Sequence, residues 1–382
     1  MKRKILIACA SFYPVISPRS HRATELAKAF AKERHDVTVL TIKDKQGYDE
    51  FAEKHNLKIK DFGREKFSFD SFRKRNNKGL HRKIIRKTLS YLFLWPLIKI
   101  TPLLYQALMK EHGYNMLISI AVPYTTHWGV ALAMKSNNSI AKVWIADCGD
   151  PFTGNKEKKI GFPFYFKWIE KWFCKKPDFI TVPIKESINA YPAVCQHKIR
   201  VIPQGFDFSD LPEKQTNNTN SFPVFAYAGK FNETRDPRPF LNYLIEQDKE
   251  FVFIVYTNSN KFMEGYIDKL GTKLIIKNYI PREQLLYELS AVDFVINFEN
   301  IGGVQVPSKL IDYALINKPI LSLKPNDINE QKIKAFLEGD YSQTREVGDI
   351  SQYDIKNIIK QFLELEKEKN KFNHTSGLYK AS

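Results

Sequence analysis

The chain has 382 residues, 43% hydrophobic and 26% charged, which excludes a disordered polypeptide and is too long for one ordinary domain. Its net charge of +17 points to an anionic partner: nucleic acid, a phospholipid surface or phosphorylated small molecules. The four cysteines form no CxxC pair and have no histidine cluster beside them, so free cytoplasmic thiols are expected rather than structural zinc.

Residues 4–14, KILIACASFYP, are a continuous apolar run ending in a turn, which predicts a parallel strand covered on both faces rather than a signal peptide. Ser17-Pro18 offers an N-cap followed by proline at the first helical position. Ala23, Leu26, Ala27, Phe30 and Ala31 then repeat at helical spacing, and HDVTVLTI (35–42) reads as the second strand of a β-α-β unit.

Between 61 and 110 there are twelve Lys and Arg against three Asp and Glu. Within it, HRKIIRKTLSYLFLWPLI puts Arg82, Lys83, Arg86 and Lys87 on one helical face and Ile84, Ile85, Leu89 and Leu92 near the other, with Trp95 after them. This predicts a helix lying on an anionic leaflet, or a core helix with a solvated basic side. No segment reaches the ~20 apolar residues needed to span a bilayer.

Strands are expected at 115–121, 142–147 and 179–184, with helices near 125–136 and 163–175. The segment IRVIPQGFD (199–207) closes the first half. A polar linker precedes a second α/β half with strand candidates at 224–231, 251–257, 273–280, 294–300 and 319–323. The tail 352–372 reads as one or two helices.

Three stretches offer chemistry at the carboxyl ends of strands, where ligands of such sheets bind. After FVINFEN comes a loop with Gly302-Gly303, then a helix predicted to open at Pro307. Its free N–H groups and dipole suit an anion. Lys309 adds a point charge, and Asp312 on the same face can accept ribose hydroxyls; the spacing equally fits a Lys309–Asp312 surface pair opening a core helix. In YAGKFNETRDPRPFL, Gly229 ends a strand and Lys230, Arg235 and Arg238 crowd the next loop, as a diphosphate grip or a solvated basic loop. In WIADCGDPF, Asp147 and Asp150 follow a strand, Asp147 reading chiefly as a turn cap.

Together these pieces resemble glycosyltransferase family 4, over most of the chain. SFYPVISPRSHRATELAKAF resembles its first strand, acceptor loop and helix; SIAVPYTTH…VWIADCGDPF resembles a subgroup pattern of Ser-x-Pro…His, then Asp-x-Arg-Asp-Pro-Trp. RVIPQGFD is similar to an interdomain IPNGxD, and YAGKFNETRDPRPF and VPSKLIDYALINKPIL resemble its donor-side motifs. There are departures. Val304 stands where the family has its first Glu, and Asp312 where it has the second. ISPRSHR replaces a Gly-Gly loop, Gly149 stands in the place of an Arg, and Gln204 in that of an Asn.

The resemblance implies the GT-B fold: two Rossmann-like doubly wound α/β domains facing across a cleft, 1–205 and 222–350, with linker 206–221 and a helical tail 351–382 able to pack back on the first. It implies retaining transfer of a hexosyl or deoxyhexosyl group from a nucleotide-diphosphate sugar to a saccharide or lipid-linked acceptor, in polysaccharide, lipopolysaccharide or capsule assembly. The enzyme would be cytoplasmic, on the inner face of a membrane, without nucleic acid, cofactor or metal. Donor binding falls to Gly229, Lys230, Arg235, Glu299, Pro307, Ser308, Lys309 and Asp312, catalysis to Asp150, Lys230 and Arg235, and the acceptor side to Arg19, Arg22 and His127, the last of which also reads simply as a satisfied histidine at a helix start. A sugar-nucleotide epimerase of the same fold, or a non-catalytic nucleotide-sugar or glycan binder, are the alternatives.

Overall fold

The computed structural model describes residues 1–15, 17–43, 45–63, 80–154, 161–209, 221–299, 308–324 and 327–378. The chain divides into two compact units, Met1–Asp207 with Gln352–Ser382, and Phe208–Ser351. Most of the expected linker, and the loop with Gly302 and Gly303, lie outside the described residues.

The first unit holds a seven-stranded parallel sheet, β1 (Lys4–Cys9), β2 (Asp36–Thr41), β3 (Lys58–Asp61), β4 (Tyr114–Ala121), β5 (Ala141–Cys148), β6 (Phe179–Val182) and β7 (Ile199–Val201), in the order β3-β2-β1-β4-β5-β6-β7. Side chains alternate across a strand, so β1 feeds two cores. Leu6 and Ala8 pack with Leu104, Trp128 and Trp144 on one face; Ile5 and Ile7 pack with Leu26, Phe30, Ile358 and Phe362 on the other. The second core unites the helix Pro18–Lys32 with the C-terminal helix Ile355–Leu378. Burying side chains of this kind stabilises by about 1.5–3 kcal/mol each.

Ser17 caps the helix Pro18–Lys32, its Oγ accepting from Ser20 N–H at 3.1 Å. The chain leaving this unit pairs with the chain returning to it: Phe206 N–H donates to Tyr353 O at 2.8 Å, and Ile355 N–H to Phe206 O at 2.9 Å.

The second unit holds a five-stranded parallel sheet, β8 (Val224–Ala228), β9 (Val252–Tyr256), β10 (Leu274–Lys277), β11 (Phe294–Phe298) and β12 (Ile320–Leu323), in the order β10-β9-β8-β11-β12. Phe225 stacks between Phe253 and Phe294, with ring centroids 5.1 and 4.7 Å away. The strand order reverses between β8 and β11 here and between β1 and β4 in the first unit, which marks the carboxyl ends of these strands for ligands.

Candidate functional site

In the second unit the site is built around Tyr227, the penultimate residue of β8. Its ring is buried, stacked on Phe231 at 4.6 Å and edge-on to Phe298 at 5.1 Å. Its hydroxyl donates to Lys230 O at 3.3 Å, and burial raises its pKa against the lowering pull of the Arg235 charge nearby. Over the ring face, 4.3 Å from its centroid, lies the Lys309 ammonium. Gly229 makes room for this arrangement, because a Cβ there would come 2.8 Å from the Tyr227 hydroxyl.

The Lys309 residue is half-buried but its nitrogen is buried, with no hydrogen-bond partner among the described residues. Burial first, and the Arg235 charge second, lower its pKa from 10.5 to about 7. A buried cation with donors unmet is costly, and the aromatic face below offsets only part, about 2 kcal/mol at most. An anion seated here would supply the missing acceptors.

The helix Ser308–Leu315 is fixed to the strand end by Tyr313, whose buried hydroxyl accepts the Ala228 N–H at 3.1 Å. Lys309 and Asp312 do not pair, so the surface-pair reading fails. Asp312 Oδ1 instead accepts Arg282 Nε at 2.8 Å and Nη2 at 2.6 Å. Its Oδ2 takes no bond among the described residues, and burial raises its pKa against the lowering pull of Arg282.

Of the other expected donor residues, Lys230 has an exposed side chain and Glu299 accepts Arg345 Nη1 at 2.8 Å at the end of β11. Pro307 and the side chain of Ser308 lie outside the described residues. Arg238 does not join the cluster; Asp236, two residues earlier, holds its Nε at 2.9 Å, and it lies over the Phe262 ring.

In the first unit the expected acceptor-side residues separate. Arg22 is 2% exposed and clamps Asp147, Nε to Oδ2 at 3.2 Å and Nη2 to Oδ1 at 3.0 Å, with Nη1 on Pro203 O at 2.6 Å. It is a structural cation, and an acceptor cannot reach it. Asp147 correspondingly caps no turn. It sits buried at the end of β5, also accepting from Thr181 at 2.7 Å and Arg19 at 3.3 Å. Burial alone would raise its pKa, but Arg22 and Arg19 together bring it below the usual carboxylate value.

His127 is likewise a core residue, fully buried rather than facing an acceptor. Its Nδ1 bonds Ser119 Oγ at 2.8 Å, Nε2 lies 3.4 Å from Cys148 Sγ, and its ring stacks on Phe173. Burial lowers its pKa to about 3. Asp150 keeps an exposed side chain, while its carbonyl accepts the Tyr124 hydroxyl at 2.6 Å.

Arg19, half-buried and itself within the departing ISPRSHR loop, meets two other positions that depart from the family's motifs, Gln204 and Gly149. Its Nη2 donates to Gln204 Oε1 at 3.2 Å, its Nη1 lies 3.5 Å from Ala121 O, and a Cβ on Gly149 would fall 2.9 Å from its Cζ. The Arg19 guanidinium, carried by the helix Pro18–Lys32, thus lies in the space beside Gly149.

Tyr227, Arg282 and Tyr313 were not singled out by the sequence. Tyr227 and Tyr313 lie within motifs it highlighted, while Arg282 only follows a strand candidate; their contacts at the strand ends show their part.

The model of Glycosyltransferase Family 4 matches residues 20–210, half of the chain. The chain belongs to glycosyltransferase family 4. No curated protein sequence matches it. This family 4 chain is similar to the crystal structure of a glycosyltransferase from Rickettsia africae, with a TM-score of 0.63 at 12% identity, over 97% of this chain and 99% of that one. It is similar to Anabaena HepE in complex with UDP and glucose, with a TM-score of 0.60 at 12% identity, over 96% of this chain and 100% of that one. It is also similar to a TarM variant of S. aureus in complex with fondaparinux, alpha-GlcNAc-glycerol and UDP, with a TM-score of 0.60 at 13% identity, over 95% and 99%. These likenesses show the fold, which is GT-B, with one Rossmann-like sheet in each unit of this family 4 glycosyltransferase.

Proposed function

We propose that this glycosyltransferase moves a hexosyl or deoxyhexosyl group, with retention, from a nucleotide-diphosphate sugar to a saccharide or lipid-linked acceptor. The observation that carries this reading is the buried Lys309 ammonium, without a hydrogen-bond partner among the described residues and close enough to feel the Arg235 charge. HepE and TarM, which share the fold, have been solved with UDP.

Lys309, Arg235 and the N-terminal turn of the helix Ser308–Leu315 hold the diphosphate, with Lys230 adding its exposed charge. As the sugar–oxygen bond breaks, negative charge grows on the leaving diphosphate, and cations placed there in advance stabilise the transition state more than the ground state. The departing phosphate oxygen takes the proton of the incoming acceptor hydroxyl, so no protein nucleophile is required. Asp312 Oδ2 accepts ribose hydroxyls while Oδ1 stays with Arg282. Glu299 stands beside the donor, tied to Arg345. Asp150 is the exposed carboxylate for the sugar or the acceptor hydroxyl, and Arg19 keeps an acceptor-side role by holding the loop at Gly149.

The cations come from the chain, so transfer proceeds without a metal. The reading extends to polysaccharide, lipopolysaccharide or capsule assembly on the cytoplasmic face of a membrane, with residues 81–95 meeting anionic headgroups. A thermal-shift screen with UDP-, GDP-, dTDP- and CMP-sugars tests it, since a ligand of the native state raises the unfolding temperature. Stabilisation by one nucleotide-diphosphate sugar is expected. No shift with any would overturn the donor assignment.

A further inference from the structure

Among the described residues, the helix Leu80–Phe93 buries no side chain in a core up to Tyr91. From His81 to Tyr91 every described side chain is exposed, Ile84, Ile85 and Leu89 included. A lone helix of this length is marginal in water, and an amphipathic one with a basic side suits a lipid surface. Among the described residues no single helix is long and apolar enough to cross a bilayer; the bent pair Lys83–Phe93 and Leu97–Leu108 has the length and composition for it, but the helix Ile100–Leu108 buries Ile100, Leu104 and Leu108 in the protein core.

A second element meets the end of this helix. The Tyr165 hydroxyl donates to Leu92 O. From Tyr165 a line of rings runs outward, to Phe164 at 5.8 Å and on to Trp168 at 5.4 Å from Phe164. Phe164 is 69% exposed and Trp168 65% exposed. Two large aromatics left in water beside each other mark an interaction surface. The exposed Lys167 and Lys171 flank them on the helix Tyr165–Cys174, as Lys83, Arg86 and Lys87 accompany the apolar residues of the first helix.

We propose that Phe164 and Trp168 are the aromatic anchor of a docking face for an anionic lipid surface, completed by the basic side of the helix Leu80–Phe93. This extends the membrane part of the proposed function by a second element that the basic helix alone did not reveal. Aromatic rings favour the headgroup boundary, and the lysines and arginines beside them match its charge. A soluble protein partner would need no such excess of cations around the rings.

Flotation with equimolar phosphatidylglycerol–phosphatidylcholine vesicles, and with phosphatidylcholine alone, tests the face. Wild type should float with the first and much less with the second. Phe164→Ser with Trp168→Ser should weaken binding to the anionic vesicles on the order of 10-fold or more. Lys83→Gln with Arg86→Gln and Lys87→Gln should weaken it on the order of 100-fold at low salt, and the residual binding should depend less on salt. Wild-type flotation by the aromatic variant, equal flotation on both vesicles, or none on either would overturn the proposal. So would self-association of wild type that the aromatic variant abolishes. The thermal shift induced by the nucleotide sugar that the screen selects, measured without vesicles, should be the same in wild type and both variants. A protein that floats as expected but binds no nucleotide upholds the docking face and sinks the transferase reading; the converse result does the opposite.

Discussion

Both units place cations near the carboxyl ends of their sheets, and they treat them in opposite ways. In the first, Arg22 and Arg19 converge on the buried carboxylate of Asp147, to which the Thr181 hydroxyl also donates, and the carbonyls of Pro203 and Ile202 accept further bonds from Arg22. In the second, the Lys309 ammonium lies over the Tyr227 ring with no hydrogen-bond partner among the described residues, near a second cation. A buried charge that is fully matched holds a fold together; one whose matching groups are missing is held ready for a ligand. The contrast separates two kinds of residue that look alike as letters, since Arg22 and Lys309 were both expected at a binding site.

The sharpest break between the two regions should come from Asp147→Ala. It leaves Arg22 buried without its carboxylate and should cost about 3–5 kcal/mol in urea unfolding. A loss below about 1 kcal/mol would show that the network is not structural.

Lys309→Met should behave in the opposite sense. Stability should hold or rise, because an unpaired buried charge is removed, while transfer falls by ~10²-fold or more. Arg235→Ala should lower transfer to a similar degree. Near-normal rates in both variants would erase the distinction drawn here.

The Arg19 contacts give a smaller and finer test. Gly149→Arg in wild type forces a side chain against the Arg19 guanidinium and should cost about 1–3 kcal/mol. Combined with Arg19→Gly the cost should shrink, a coupling that a double-mutant cycle reads directly. Simple additivity would mean that the two positions do not share one space. The least effect is expected from chelation. EDTA should leave transfer unchanged, and a complete loss restored by Mg²⁺ or Mn²⁺ would show that the protein cations are not sufficient.

Much of the fold was legible because both sheets are parallel and covered on both faces, so their strands stand out as apolar runs. The edge strand β3 was missed; KIKD is polar and largely exposed, and carries no such signal. The predicted strand 224–231 stops at Ala228, because the chain turns at Gly229 to bring Lys230 and Arg235 beside Tyr227.

The meeting of Lys309 and Arg235, to which the proposed function gives the donor diphosphate, was legible from their place after strands. Their distance from water was not, nor was the partner of Asp312, which lies 30 residues earlier in the chain. Arg22, and His127 in its acceptor-side reading though not as a satisfied helix-start histidine, were misplaced for one reason. Polar letters at strand and helix ends suggest a surface, and only packing shows that Ser119 and Asp147 already satisfy them. Arg19, Gly149 and Gln204 appeared as unrelated departures because their meeting spans almost the whole first unit.

The most direct measurement is a calorimetric titration, into wild type and Lys309→Met at several pH values, of the nucleoside diphosphate whose sugar stabilises the protein most in the thermal-shift screen. In the free protein the Lys309 pKa lies near 7 rather than at 10.5. Above about pH 7 the native state has therefore shed a proton that the unfolded chain keeps, and stability should rise with pH until the unfolded lysine titrates. A bound diphosphate returns that proton. Above pH 7 nucleotide binding should take up a proton and weaken as pH rises, approaching about tenfold per unit, and Lys309→Met should bind more weakly with neither effect. Affinity for that nucleoside diphosphate that is flat across this range in wild type, or equal in the two proteins, would contradict the assignment of Lys309 to the diphosphate.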